Sequence, residues 1–132
     1  MYKILKKEAL NPTVTRMVIE APFVAKRAKA GQFIILRVRE QGERLPLTIA
    51  DSNPEKGTVT IIFQVVGETT MLLNALNEGD CLEDFAGPLG KPSLIDGTKK
   101  VCIIGGGVGC AIAYPTAKAF HEAGADVTTI VG

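Results

Sequence analysis

Residues 101–115 read V-C-I-I-G-G-G-V-G-C-A-I-A-Y-P, and the change of pattern at this stretch decides the fold. Val101-Cys102-Ile103-Ile104 is a short continuous apolar run, as expected of a strand covered on both faces. Gly105-Gly106-Gly107-Val108-Gly109 then forms a turn, residues 111–123 are helix-forming, and residues 127–131 are again β-branched. Strand, glycine-rich turn, helix and strand in that order open a parallel sheet. Pro115 interrupts the helical run; with no N–H to donate, it is expected at the first regular helical position, with residues 108–114 as an irregular lead-in.

The preceding part of the chain has a different pattern. Residues 3–10, 14–21, 33–39, 46–51 and 58–66 are short segments of period-two or continuous apolar character. Turn residues separate them: Asn11-Pro12, Asn53-Pro54, Gly42 and Gly57. This is the pattern of a small antiparallel β-barrel. A short helix fits residues 69–77, where Met71, Leu72, Ala75 and Leu76 recur at helical spacing and Gly79 follows as a stop. Residues 80–85 read as a further strand, residues 87–92 are too rich in Gly and Pro for regular structure, and residues 93–100 are mostly polar. A boundary near residue 98 follows, giving a barrel over 1–98 and the start of an α/β domain over 99–132. Two parallel strands and one helix bury too little to stand alone. The second unit is therefore expected to begin a longer domain, or to have its open edge covered by another chain.

Composition removes several classes of function. Fifteen Lys and Arg against fourteen Asp and Glu, with two Tyr, five Phe and no Trp, supply neither the basic footprint nor the stacking aromatics of a nucleic-acid binder. Cys81, Cys102 and Cys110 are widely spaced and sit beside apolar residues, so they read as reduced thiols, and with one histidine, His121, they make no metal-ligand set. The N-terminus M-Y-K-I-L-K-K has no apolar signal region, and no apolar run approaches a membrane span, so the cytoplasm is the expected location.

Three segments carry candidate chemistry. At Gly105, Gly106, Gly107, Val108 and Gly109, glycines let backbone N–H groups approach a pyrophosphate at a helix N-terminus; a tight strand-to-helix turn would also require glycine. Arg44-Leu45-Pro46-Leu47-Thr48 offers a phosphate-pairing guanidinium, an apolar wall and a hydroxyl, or else a solvated arginine at a strand start. Gly67-Glu68-Thr69-Thr70 precedes the short helix, where Thr69 or Thr70 either caps the helix or donates to a phosphate.

Taken in order, R-L-P-L-T, I-I-F-Q-V-V-G-E-T-T, G-P-L-G and V-C-I-I-G-G-G-V-G-C-A-I-A-Y-P resemble the ferredoxin–NADP reductase-like flavoproteins over essentially the whole chain. Within them the sequence is most similar to the electron-transfer subunits of dihydroorotate dehydrogenase and of NADH-dependent ferredoxin:NADP oxidoreductase. The resemblance implies a six-stranded antiparallel FAD-binding barrel followed by the first βαβ unit of an NAD(P)-binding domain. It puts Leu45, Pro46, Leu47 and Thr48 on the family's R-x-Y-S or R-P-x-S stretch, with Leu47 in the ring-stacking place and Thr48 as the hydroxyl; the arginine stands one position early, at Arg44. It also implies FAD contacts at Ile62, Phe63 and Gln64, FAD pyrophosphate at Gly67, Thr69 and Thr70, and NAD(P) at Gly105 to Gly109. The relatives' C-terminal cysteine cluster, which binds a 2Fe–2S centre, has no counterpart in this sequence.

The activity implied is hydride transfer from NAD(P)H to FAD, with electrons passed on to an iron–sulfur centre and a catalytic or ferredoxin-reducing partner subunit. Such chemistry needs ring stacking and a dry site rather than a protein acid, which accords with the lack of a catalytic His or carboxylate pair. This chain alone is expected to show weak NAD(P)H oxidation or none. The competing reading is a non-catalytic flavin- or nucleotide-binding or subunit-docking module, and a purely structural barrel is a third.

Overall fold

The computed structural model describes residues 1–132. Period-two alternation sets the first hairpin, in which β1 (Tyr2–Asn11) and β2 (Val14–Glu20) pair antiparallel and Asn11 closes the turn by accepting from the Thr13 N–H at 2.9 Å. Along β2, Thr15, Met17 and Ile19 are buried, while Val14, Arg16 and Val18 lie on the opposite, half-covered face. Next comes α1 (Pro22–Arg27), a helix without a sequence forecast, because six residues are too few to establish a period. Pro22 opens it, where a missing N–H costs nothing, and Val24 and Ala25 enter the core.

The chain continues through β3 (Phe33–Arg37), β4 (Leu45–Thr48), β5 (Asp51–Asn53), β6 (Thr58–Gln64), α2 (Glu68–Asn74), β7 (Cys81–Leu82) and β8 (Asp84–Leu89). The expected six strands are thus corrected to eight, in a five-stranded sheet β5-β6-β2-β1-β7 and a three-stranded sheet β4-β3-β8, rather than one closed ring. Both extra strands arise at corners. The expected strand over 46–51 pairs with β3 as far as Thr48; Ile49 then donates to the Gln32 carbonyl and Ala50 to that of Thr60, and Asp51–Asn53 pairs with β6. The strand expected over 80–85 is cut at Glu83, between a ladder to β1 and a ladder to β3. A strand that passes from one sheet to the other cannot keep a single ladder. A second correction concerns residues 87–89, expected to be irregular: they end β8, and Gly87-Pro88 is tolerated there because β8 is an edge strand.

Between the two sheets, Ile4, Met17, Ile19, Ile34, Leu36, Val59, Ile61, Phe63, Leu82 and Phe85 form a continuous buried core, which Leu73 of α2 joins. Alternation leaves the outer faces of β4 and β6 for other work. After residue 90, β9 (Lys100–Gly105), α3 (Gly109–Glu122) and β10 (Asp126–Val131) form the expected parallel unit, with Val127 opposite Val101 and Ile130 opposite Ile104. The expected irregular lead-in before Pro115 is corrected: α3 begins at Gly109, and Pro115 lies buried inside it. Gly109, Cys110 and Ala111 donate to carbonyls three residues back, so a tight first turn starts the helix early and Pro115 costs it one internal bond. Ile104 and Ile130 share the sheet face away from α3 and are exposed. No helix is long and apolar enough to cross a membrane.

Candidate functional site

Three remote segments meet in one groove of about 310 Å³. Leu45, Pro46, Leu47 and Thr48 of β4 form one wall, Ile62, Phe63 and Gln64 of β6 form the floor with Val66, and Thr70 stands at one end. Val108, Ala111 and Ile112, from the glycine-rich turn and the first turn of α3, close the far side. Nine of the residues singled out from the sequence therefore line a common surface. The β4 alternation assigns them two roles. Leu45 and Leu47 face Leu36 and Ile34 and pack on the core, so Leu47 supports the wall from within, while Pro46 and Thr48 lie on the outer face.

Beyond Ile62, Val108 and Ala111, which it shares with the groove, a larger cavity of about 490 Å³ continues between the outer face of the five-stranded sheet and α3. Its lining adds Arg16, Asp51, Thr60, Gly107, Cys110 and Tyr114. Together the two spaces have the size and the mainly apolar lining of a small-molecule cleft, for which about 300–1,000 Å³ is typical.

At the groove's end, α2 is held at both termini. The Thr70 hydroxyl accepts from the Val66 and Gly67 N–H groups at 2.9 and 3.0 Å and donates to the Gly67 carbonyl at 3.0 Å. This is half a capping box, because Gly67 has no side chain with which to reciprocate. Thr70 is buried with its one proton and both lone pairs committed, so it shapes the loop rather than offering a free donor. The Glu68 and Thr69 N–H groups remain as the orphan donors of a helix start. Thr69 donates its hydroxyl to the Glu43 carboxylate at 2.5 Å, and the neighbouring Arg44 is exposed and outside the groove lining. At the other terminus Lys7 Nζ donates to the Asn74 and Leu76 carbonyls at 2.5 and 2.9 Å, a cation on the negative end of the helix.

The glycines after β9 divide by cause. A Cβ at Gly105 would lie 3.0 Å from the Cys110 Cα, so the close seat of α3 on β9 requires glycine there; Gly107 has φ +55°. Gly106 and Gly109 would meet nothing within 4 Å, so the protein's own packing does not account for them. In the same turn the Gly107 N–H donates to the Gly132 carbonyl, while those of Gly106 and Val108 have no protein partner.

Two polar contacts tie α3 to the first unit. Lys118 Nζ pairs with Asp51 Oδ1 at 2.9 Å, and the Ser93 and Thr116 hydroxyls lie 3.1 Å apart. The hydrogen bond that Lys118 donates to Asp51 raises the Lys118 pKa above its ordinary value, with partial burial acting against it and the Asp51 charge adding to it. Arg16, Asp51 and Tyr114 are cavity residues that sequence reasoning passed over. On a strand read alone, Arg16 occupies the non-core parity and looks like a solvated side chain; only the packing of α3 over that face makes it a lining residue.

This architecture is the ferredoxin reductase-like fold: phthalate dioxygenase reductase superposes with a TM-score of 0.81 at 18% identity, over 98% of this chain and 41% of that one. More particularly, the chain is similar in sequence to dihydroorotate dehydrogenase electron-transfer subunits. It is 46% identical over its full length to the homolog of that subunit from Thermotoga maritima, covering 47% of the latter. An uncharacterized protein from the adh 3' region of Clostridium beijerinckii is 53% identical, again with 100% of this chain and 47% of the relative covered. Among solved structures, the NADH-dependent reduced ferredoxin-NADP oxidoreductase gives a TM-score of 0.97 at 45% identity, over 100% of this chain and 48% of that chain. The chain thus spans about half the length of the relatives it matches. No family model matches it.

Proposed function

We propose that the chain is the flavin-binding part of an NAD(P)H-dependent electron-transfer oxidoreductase. The observation that carries this reading is the convergence of residues 45–48, 62–64, Thr70 and Val108 on one groove, next to a helix start with unpaired N–H groups. The donor set fits FAD: Pro46 and the Thr48 hydroxyl on the outer face of β4 for a ring, and the amides of Glu68 and Thr69 for a diphosphate. Pro46 and Thr48 would lie against the ring and its polar edge, with the β6 backbone at Ile62–Gln64 beneath. Bound there, FAD would supply a two-electron acceptor for hydride and a one-electron donor to a downstream centre.

The remaining roles belong to the chain's own side chains. Val108, Ala111 and Ile112 keep water from the groove, and Thr70 fixes the loop that aims the α2 amides. The unhindered backbone at Gly106 and Gly109 suits a pyridine dinucleotide, NAD(P)H being the hydride donor. Electron delivery to a partner subunit, in line with the name of an electron-transfer subunit among the relatives, and an iron–sulfur centre outside these residues complete the proposal. Titration of FAD with the purified chain tests it: saturable quenching of flavin fluorescence at one flavin per chain is expected, and unchanged fluorescence at a large excess of protein would overturn it.

A further inference from the structure

The larger cavity has a charge that its surroundings leave unused. Of its lining residues only Arg16 and Asp51 are charged. Asp51 is already engaged, accepting from Lys118 Nζ at 2.9 Å and from the Ser52 N–H at 3.0 Å. Arg16 has no such partner, since the molecule's two ion pairs are Arg37–Asp84 and Lys118–Asp51. Arg16, a half-buried residue, stands beside apolar walls with the cavity's one carboxylate already paired to Lys118, while Glu8, its exposed cross-strand neighbour on β1, lies outside the lining and makes no ion pair with it. Across the cavity from it lies the turn at Gly107 and Val108, where the Val108 N–H is also unpaired.

A ligand matching this lining has a flat apolar portion and a compact anion within reach of both Arg16 and the turn. We infer that Arg16, contributed by the barrel rather than by the nucleotide-binding unit, is the cation that pairs with a phosphate of the pyridine dinucleotide. The inference rests on the flavoprotein reading only for the identity of the ligand. It gives the arginine on the outer face of β2 a role, and the barrel a direct part in docking the reductant. The guanidinium fork suits two phosphate oxygens in a way an ammonium does not.

The test is an amide NMR titration of the chain with NAD+ and, separately, with FAD, for wild type, Arg16→Met and Arg16→Lys. Methionine keeps the apolar stem, and because Arg16 lies on the non-core face, unchanged melting is the control for folding. Wild type should bind NAD+ with shifts at Arg16 and at residues 106–109. Arg16→Met should bind about tenfold more weakly and with less dependence on salt, with Arg16→Lys between. FAD affinity should fall by less than NAD+ affinity, because Arg16 lines the larger cavity and not the flavin groove. Equal NAD+ affinity in wild type and Arg16→Met, no saturable NAD+ binding by wild type, or a loss confined to FAD would each overturn the inference. The two readings separate cleanly: wild type that binds FAD with Arg16 indifferent to NAD+ sinks only the arginine's role, whereas Arg16-dependent NAD+ binding without FAD binding sinks only the flavin site.

Discussion

Replacing Thr70 by valine preserves volume and branching while removing the hydroxyl that organises the approach to α2. Three hydrogen bonds disappear: two accepted, from the Val66 and Gly67 N–H groups at 2.9 and 3.0 Å, and one donated to the Gly67 carbonyl at 3.0 Å. Val66 and Gly67 are exposed, so water reaches the released backbone groups and the full cost of burying unpaired donors does not apply. At about 0.5–1 kcal/mol for each accepted bond, and less for the donated one, the loss sums to about 1.5–2 kcal/mol, within the range measured for helix-cap removal. For a domain of this size that corresponds to about 5–8 °C in melting temperature. Thermal denaturation followed by circular dichroism provides the assay, with Thr70→Ser retaining most of the stability and Thr69→Val, which breaks only the contact with Glu43, changing little. FAD affinity should fall with the loop in Thr70→Val and survive in Thr70→Ser. A Thr70→Val protein melting within about 1 °C of wild type would refute the assignment of the hydroxyl to loop and cap.

The glycine turn yields opposite expectations at two positions. Gly105→Ala should destabilise the second unit by forcing Cβ to within 3.0 Å of the Cys110 backbone, measurable as faster hydrogen exchange in α3. Gly109→Ala opens no clash and should stabilise by about 0.5 kcal/mol while weakening NAD+ binding, a combination that a purely structural turn would not give. Lys7→Met should cost about 1 kcal/mol in urea denaturation, because the carbonyl of Asn74 at the end of α2 and that of Leu76 just beyond it lose their cation. The Lys118–Asp51 pair is exposed at 38% and 39% of its side chains, so it should contribute less than about 1 kcal/mol. Because the folded pKa of Lys118 is raised, that contribution is complete below lysine's ordinary value of about 10.4 and disappears as pH climbs through the raised value. Lys118→Met should flatten this alkaline decline in urea melts, and an unchanged profile would contradict the assignment.

Legibility followed the range of the determining interactions. Period-two alternation placed β2 and β6 almost to the residue, and the run before Gly105 placed β9, because their parity is set by one buried face. The breaks at Ile49-Ala50 and Glu83 were invisible, since a change of sheet depends on partners in or next to other strands, Gln32, Thr60 and Arg37, rather than on local composition. Pro115 misled for a related reason: the helix start is set by tight bonds back to Gly106, Gly107 and Val108, which the proline does not disturb. Within the site, the segments 45–48 and 62–64 could be named from sequence and meet in space, but Thr70 proved to be a cap and Arg44 lies outside the groove. Arg16 and Tyr114 had no local signal, because each gains its surroundings only when α3 lies against the barrel.

The central claim is that one groove on the outer faces of β4 and β6 holds the flavin. The most direct measurement is amide-shift mapping of the isotope-labelled chain with FAD. Shifts concentrated at residues 45–48, 62–64 and 67–70, saturating at one equivalent, are the predicted result; saturable binding that moves other residues and leaves these three segments unperturbed would contradict it.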